Sequence, residues 1–341
     1  MVLKEKRVFY YDFLRAFAII AVILCHVDGL YEFTTANLKV AIPILLNNIG
    51  LIGVPIFFML SGSLLLNRNY SLKEFFTKRF FRIAYPFIFW ILVTILIGIF
   101  YFKWDTSYVL TIFFGTPAPS WYIWTLMGIY LFFPIINSFL KEYSLKGIEY
   151  FLIIWFLTII LNTFHLYPFK CLELSYFAGY VGYCVLGYYL DNKKFRFDDK
   201  TTCLIGIITL LISTTIHMIF TYYHIDLLSP MYLNLIIVFQ AIGMFISVKY
   251  FFTFCNSTNC KVNSIYNNFK ENALGKFIIS LSVCSYGMYF IHYILIKFLK
   301  ELNIHSIKLL PLILLGVVVL SWFITYVLSK IPIIDKISGV K

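Results

Sequence analysis

The sequence predicts an all-α, polytopic membrane protein with about ten transmembrane helices and both termini in the cytoplasm. Three features indicate this class. Of the 341 residues, 61% are hydrophobic and 13% are charged, whereas a soluble domain has about 25% charged residues. The apolar residues come in runs of about 20, the length with which a helix crosses a hydrocarbon layer of about 30 Å. Aromatic residues make up 20% of the chain, which fits Tyr and Trp at the two membrane interfaces.

Ten spans account for these runs and leave no long polar segment between them. We therefore expect one membrane domain over residues 1–341, with no appended soluble domain. The second span is interrupted by the stretch NNIGLIGVP, and the sixth is short and rich in Gly and Tyr. The predicted spans are 10–30, 44–66, 83–102, 121–140, 147–165, 174–190, 202–223, 231–254, 278–299 and 308–330.

Basic residues set the predicted orientation, because cytoplasmic loops carry an excess of Lys and Arg. The side that holds both termini and the alternate loops carries all but six of the 28 Lys and Arg residues. Loop anchoring thus explains the net charge of +12, and we expect no nucleic-acid partner. The six on the other side are Lys39, Lys103, Lys170, Lys297, Lys300 and Lys308.

The seven Cys residues are odd in number and follow no pattern, which argues against a disulfide framework. Cys255 and Cys260 share a polar loop but lack a second pair of ligands with zinc spacing. The sequence therefore predicts no metal site.

The first span, YDFLRAFAIIAVILCH, carries Asp12, Arg15 and His26 among apolar residues. Arg15 and His26 are eleven residues apart, so a helix places them on one face about 16 Å apart. Two readings remain open. Arg15 snorkels to the inner interface beside Asp12 and His26 packs in the core, or these costly groups face a cavity and carry a function.

Two further basic residues, Arg79 and Arg82, open the third span with i, i+3 spacing. They are either ordinary cytoplasmic anchors or, together with Arg15, a cationic mouth suited to phosphate groups. In the second case a neutral His26 deeper in the membrane would act as a general base. This combination favours an acyl-coenzyme A that enters from the cytoplasm.

Five segments, in order along nearly the whole chain, resemble the acyltransferase family 3 membrane proteins. The first is the pair Arg15 and His26, with ten residues between them, and the third is RFFR with Arg79 and Arg82. The others are GVPIFFMLSGSLL (53–65), SWYIWTLMGIYLFFPII (120–136) and SYGMYFIH (285–292). The chain is similar to the stand-alone members, such as O-antigen or enterobacterial common antigen O-acetyltransferases.

The resemblance implies a multi-pass protein of the bacterial inner membrane. It would move an acetyl group from cytosolic acetyl-CoA to a sugar hydroxyl of a surface polysaccharide or its lipid-linked precursor. By the same resemblance His26 and Arg15 would be catalytic, and Arg15, Arg79 and Arg82 would bind acetyl-CoA. His26 would either accept the hydroxyl proton during direct transfer or carry the acyl group itself.

Aromatic residues of the fourth and ninth spans are candidates for binding the acceptor. Trp121 and Tyr122 belong either to an interfacial aromatic belt or to a platform on which a sugar ring stacks. Tyr286, Tyr289 and His292 form one stripe of a helix, and His292 either bonds within the core or lines the pocket. The remaining histidines have no supporting motif and are assigned to packing: His165, His217, His224 and His305.

A transporter is the alternative to an enzyme. In an exporter of a glycan or its precursor, Asp12, Arg15 and His26 would form a relay across the membrane. The paired arginines and the position of His26 relative to them favour the enzyme.

Overall fold

The structure is a computed structural model in which every regular element among the described residues is helical. It describes residues 7–28, 38–114, 120–166, 174, 179–223, 225, 232–257, 260–304, 309–332, 334 and 338–340. The helices are α1 (Phe9–Asp28), α2 (Leu38–Leu51), α3 (Gly53–Leu65), α4 (Leu72–Phe75), a π-helix (Phe76–Phe80), α5 (Phe81–Phe100), α6 (Thr106–Phe114), α7 (Ser120–Thr163), α8 (Val181–Asn192), α9 (Asp199–Tyr222), α10 (Leu235–Ser257), α11 (Cys260–Glu271), α12 (Ala273–Glu301) and α13 (Leu310–Leu328).

Within the described part of the chain, eight helical stretches are long and apolar enough to cross a membrane, which confirms an all-α polytopic membrane protein. The fourth and fifth predicted spans form the single element α7, and its two helical parts meet at Ser144, whose φ of 53° is not helical. The sixth span corresponds to α8, which has only 12 residues. The count of ten and the cytoplasmic termini stay predictions.

The second predicted span is two helices. The chain turns at Ile52, between α2 and α3, within the polar and glycine-rich stretch that interrupts the span in sequence. Gly53, the first residue of α3, lies so close to α1 that a Cβ there would be 2.7 Å from the carbonyl oxygen of Ala18. Small residues on both helices therefore let α3 start against the backbone of α1.

Helices α3 and α8 pack so closely that their backbones are in contact. A Cβ on Gly62 would lie 1.8 Å from the carbonyl oxygen of Cys184, and one on Gly187 would lie 2.2 Å from that of Met59. Phe58 stacks on Tyr180 at the same interface, with 5.1 Å between ring centroids. The two glycines thus let α3 and α8 pack with their backbones in contact.

Helices α1 and α12 are parallel neighbours at the centre of the molecule. Asp12 and Ser282 meet at one end of their interface, and His26 and His292 meet at the other. Alternating spans require this relative direction for the first and ninth spans. Peripheral helices instead expose long apolar faces, as expected for surfaces that contact lipid; on α9 and α13 these include Leu204, Leu211, Ile212, Leu312, Leu315 and Phe323.

Candidate active site

The first turn of α1 is fixed by a carboxylate at the end of α8. The hydroxyl groups of Tyr10 and Tyr11 each donate to Asp191, to one oxygen apiece and both at 2.5 Å. Lys249 of α10 donates to the backbone carbonyls of Leu190 at 2.9 Å and Asp191 at 2.5 Å. Three helices are thereby joined at the end of α1 that carries Arg15.

Beside this anchor, an ionic chain links α1 to α12. Arg7 donates to both carboxylate oxygens of Asp12, at 2.6 and 2.7 Å. Ser282 donates to Asp12 Oδ1 at 2.7 Å and accepts a bond from Arg15 Nη1 at 3.3 Å. The partner that balances Asp12 is therefore Arg7, and Arg15 reaches Asp12 only through the hydroxyl of Ser282.

The arginines of the third span lie at a junction between helix types. A capping box formed by Ser71 and Glu74 starts α4, and the chain then forms the π-helix before α5. Arg79, in that π-helix, donates to the hydroxyl of Tyr70 and lies over its ring, with the guanidinium carbon 5.1 Å from the centroid. Arg79 Nε is buried without a partner among the described residues, whereas Arg82 is exposed.

The three predicted arginines belong to one electrostatic cluster. Arg15 interacts with Arg82 and with the hydroxyl of Tyr130, and Tyr130 in turn interacts with Arg79. The hydroxyl of Tyr130 lies beside that of Ser61 on α3. Because Asp12 is already bound by Arg7 and Ser282, the cluster has an excess of positive charge and is suited to an anion. We call Arg15, Arg79, Arg82 and Tyr130 the cationic cluster.

At the other end of the interface, two imidazoles lie side by side. The ring centroids of His26 and His292 are 5.0 Å apart and the rings are inclined at 65°. His26 Nδ1 donates to the carbonyl of Val22 at 2.8 Å, and His292 Nδ1 donates to that of Met288 at 3.0 Å. A carbonyl can only accept, so each Nδ1 carries the proton and each Nε2 has a free lone pair.

The two histidines differ in exposure. His26 is half-buried. His292 is 0% exposed, and its Nε2 is buried with no hydrogen-bond partner in the part of the chain that the structure describes. The sequence left two roles open for His292, and the structure places it against His26 rather than elsewhere in the core. We call His26 and His292 the histidine pair.

Aromatic rings continue from the histidine pair towards α7. Tyr289 lies 5.7 Å from His292 between ring centroids, and Tyr122 lies 5.4 Å from Tyr289. Tyr122 is only 5% exposed and also contacts Phe58. Three residues predicted to bind substrate (Tyr122, Tyr289 and His292) are therefore brought together beside His26.

The two other predicted substrate residues lie apart from the histidine pair. Trp121 is half-buried and stacks on Tyr232, with centroids 5.6 Å apart and rings 25° from parallel. Tyr286 donates to the carbonyl of Ile83 on α5 at 2.8 Å, a bond that joins α12 to the helix of Arg82. The structure thus places Tyr286 as a link between helices.

Sequence reasoning missed Ser282, Tyr130 and Tyr70. Ser282 precedes Tyr289 by seven residues, so both lie on one face of α12, and this spacing was the signal available. The contacts of Tyr130 and Tyr70 depend on tertiary packing and have no local signal. Of the histidines assigned to packing, His224 and His305 lie outside the described residues. No group of three or more His, Cys, Asp or Glu residues among those described is placed to hold a metal ion.

Fold and site together define a helical membrane protein with a cationic cluster and a histidine pair on one helix interface. The chain belongs to acyltransferase family 3, since the family model described as "Acyltransferase domain" matches residues 8–330. It is therefore a membrane acyltransferase. No curated protein and no solved structure matches the chain.

Proposed function

We propose that this protein is an O-acetyltransferase of the bacterial inner membrane. It takes an acetyl group from cytosolic acetyl-CoA and transfers it to a sugar hydroxyl of a surface polysaccharide or of its lipid-linked precursor. The observation that carries the proposal is the placement of two different sites on α1. Arg15 belongs to the cationic cluster, and His26, about three turns further along the helix, has a lone pair on Nε2 because its Nδ1 carries the proton.

The cationic cluster is suited to the phosphate groups of the donor. Guanidinium groups bind phosphate through forked donors, and they keep their charge where a lysine would lose it. Arg82 is exposed, and Arg79 has an Nε–H with no partner among the residues that the structure describes, so both retain capacity for a ligand. Arg15, held by Ser282, lies on the same helix as His26.

The chemistry at His26 follows from its tautomer. Because Nδ1–H is bound to Val22, the lone pair of Nε2 is the reactive group. It either accepts the proton of the sugar hydroxyl while that oxygen attacks the thioester, or it attacks the thioester itself. In both routes the acyl carbon–sulfur bond breaks and coenzyme A leaves as the thiol after taking up one proton.

The acceptor sugar is expected near the aromatic residues of α7. Trp121 remains half-buried and offers the type of surface on which a sugar ring stacks. Tyr122 is packed between Phe58 and Tyr289, so its role is to support the wall beside the histidine pair.

The test is mass spectrometry of the host's surface polysaccharide from the parent strain, a deletion strain, and deletion strains that express either wild type or His26→Ala. We expect an acetyl mass that disappears on deletion, returns with the wild type and does not return with His26→Ala. His217→Ala is the matched control, because His217 lies on α9 and is bonded to Gln240 of α10; it should restore acetylation. Unchanged acetylation with less polysaccharide at the surface would refute the proposal and favour export.

A further inference from the structure

The buried Nε2 of His292 needs an explanation that packing does not supply. The atom is an acceptor with no donor in the described part of the chain, and buried polar atoms are otherwise nearly always paired. A leucine would fill similar space on α12 without leaving an unpaired atom. Among the described residues the ring bonds only to the backbone of its own helix, so the imidazole joins no other helix there.

His217 shows how a packing histidine looks in this protein. It is also buried, at 2% exposure, but its Nδ1 lies 3.2 Å from Gln240 Oε1, and Gln240 donates to Thr214 at 3.2 Å. That histidine is part of a network between α9 and α10. His292 has the same burial and no such network, and its neighbour is the reactive imidazole of His26.

We propose that His292 is a second catalytic residue, which takes the proton of the acceptor hydroxyl while His26 carries the acyl group. The inference rests on the proposed function and deepens it. Once His26 Nε2 bears an acyl group, its lone pair is used, and its Nδ1 is already protonated. His26 is then unable to act as a base, and the free lone pair of His292, in the ring 5.0 Å away, takes that role.

The steps balance as follows. His26 Nε2 attacks the thioester carbon, the carbon–nitrogen bond forms, and the carbon–sulfur bond breaks to release the thiolate of coenzyme A. The acceptor oxygen then attacks the acyl carbon, and its proton passes to His292 Nε2. As the ester bond forms, the electron pair of the carbon–nitrogen bond returns to His26. His292 finally releases its proton, which converts the thiolate to the thiol.

The test uses purified full-length protein, radiolabelled acetyl-CoA and, as acceptor, the surface polysaccharide together with its lipid-linked precursor, both isolated from the deletion strain. Without acceptor, wild type, His292→Gln and His292→Leu should each gain one acetyl group, seen by intact mass, whereas His26→Ala should gain none. With acceptor, wild type should lose the label, and both His292 variants should release it at least about 100-fold more slowly, the smallest usual contribution of a general base. His217→Leu should turn over as wild type does.

Each alternative has a distinct outcome. Transfer by His292→Leu at the wild-type rate would make His292 a packing residue. If a folded His292→Gln protein gains no acetyl group from acetyl-CoA, His292 acts in the donor step. If the wild type transfers acetyl groups without ever carrying one, His26 is not an acyl relay. Either result overturns the inference but leaves the proposed function. A wild type that transfers nothing overturns both. If His292→Leu fails to fold, His292→Gln, which keeps a polar side chain, provides the same test.

Discussion

The two ends of the interface between α1 and α12 contain equally buried polar groups that differ in their hydrogen bonding. At one end, which we call the ionic end, Asp12 is 3% exposed and accepts hydrogen bonds from Arg7 and Ser282. At the other end His292 is 0% exposed, and its Nε2 has no hydrogen-bond partner among the described residues. Both ends are held by the same two helices, so helix packing alone does not produce the difference.

The difference separates structure from chemistry. A polar group whose bonding capacity is filled by its neighbours stabilises the fold and has little left for a substrate. An unpaired acceptor destabilises the fold, and natural proteins keep such a group mainly where a ligand or reaction completes it. On this argument Asp12 belongs to the scaffold, whereas we propose that the histidine pair serves the reaction.

The largest effect on stability is expected from Asp12→Ala. The change removes the acceptor for Arg7 and Ser282 and leaves the charge of Arg15 without its nearest counter-ion, so we expect a loss of about 3 kcal/mol in unfolding free energy. Thermal unfolding in detergent measures it. Lys78→Ala is the control, because the side chains of Lys78 and its partner Glu74 are 62% and 47% exposed and a pair exposed on both sides contributes less than about 1 kcal/mol.

Equal melting temperatures of wild type and Asp12→Ala would contradict the conclusion that the ionic end stabilises the fold. The ionic end would then be no more structural than the histidine pair, and Asp12 would have to be tested as part of the donor site through the KM for acetyl-CoA.

The helical scaffold could be predicted from sequence largely because its signals are local. Runs of apolar residues gave the spans, and the 3.6-residue period placed Arg15 and His26 on one face of α1. The same period put Tyr289 and His292 on one stripe of α12. The structure brings His26 and His292 together, but their contact depends on the register between two helices far apart in sequence.

Features that depend on tertiary contacts were not predicted. The spacing of Arg79 and Arg82 suggested one face of an ordinary helix, but Arg79 lies in a π-helix, whose wider turn changes the direction of its side chains. The exchange of partners at Asp12, from Arg15 to Arg7, requires Ser282 from another helix. Neither the π-helix at Arg79 nor the partner of Asp12 can be predicted from the residues of one span.

A smaller loss of stability is expected from Gly62→Ala, which tests whether the two ends share one scaffold. The new methyl group would collide with the carbonyl of Cys184 and push α3 from α8, at about 2 kcal/mol. Helix α3 also contacts both ends, through Ser61 beside Tyr130 and through Phe58 against Tyr122. We therefore expect a higher KM for acetyl-CoA together with a lower kcat.

The control for this variant is Gly128→Ala on α7, where a Cβ would meet nothing within 4 Å. That change should be neutral or stabilising, since Ala favours a helix over Gly by up to about 1 kcal/mol. A Gly62→Ala protein with altered KM but unchanged kcat would show that the histidine pair is held independently of α3.

The smallest effect is expected from Ser282→Ala, which tests whether the ionic end affects donor binding without affecting the reaction at the histidine pair. It removes the hydroxyl that joins Arg15 to Asp12, at about 1 kcal/mol. Arg15 loses its fixed position, and the KM for acetyl-CoA should rise about fivefold, the equivalent of that energy, with kcat unchanged. Ser285→Ala is the matched control on the same helix, because Ser285 donates only to the backbone carbonyl of Ser282 and should leave KM as it is.

A fall in kcat for Ser282→Ala at unchanged KM would contradict this division. It would mean that Arg15 acts on the reacting thioester rather than on the phosphate groups of the donor. The cationic cluster would then extend along α1 into the catalytic site, and the two ends of the interface would form one continuous reaction path.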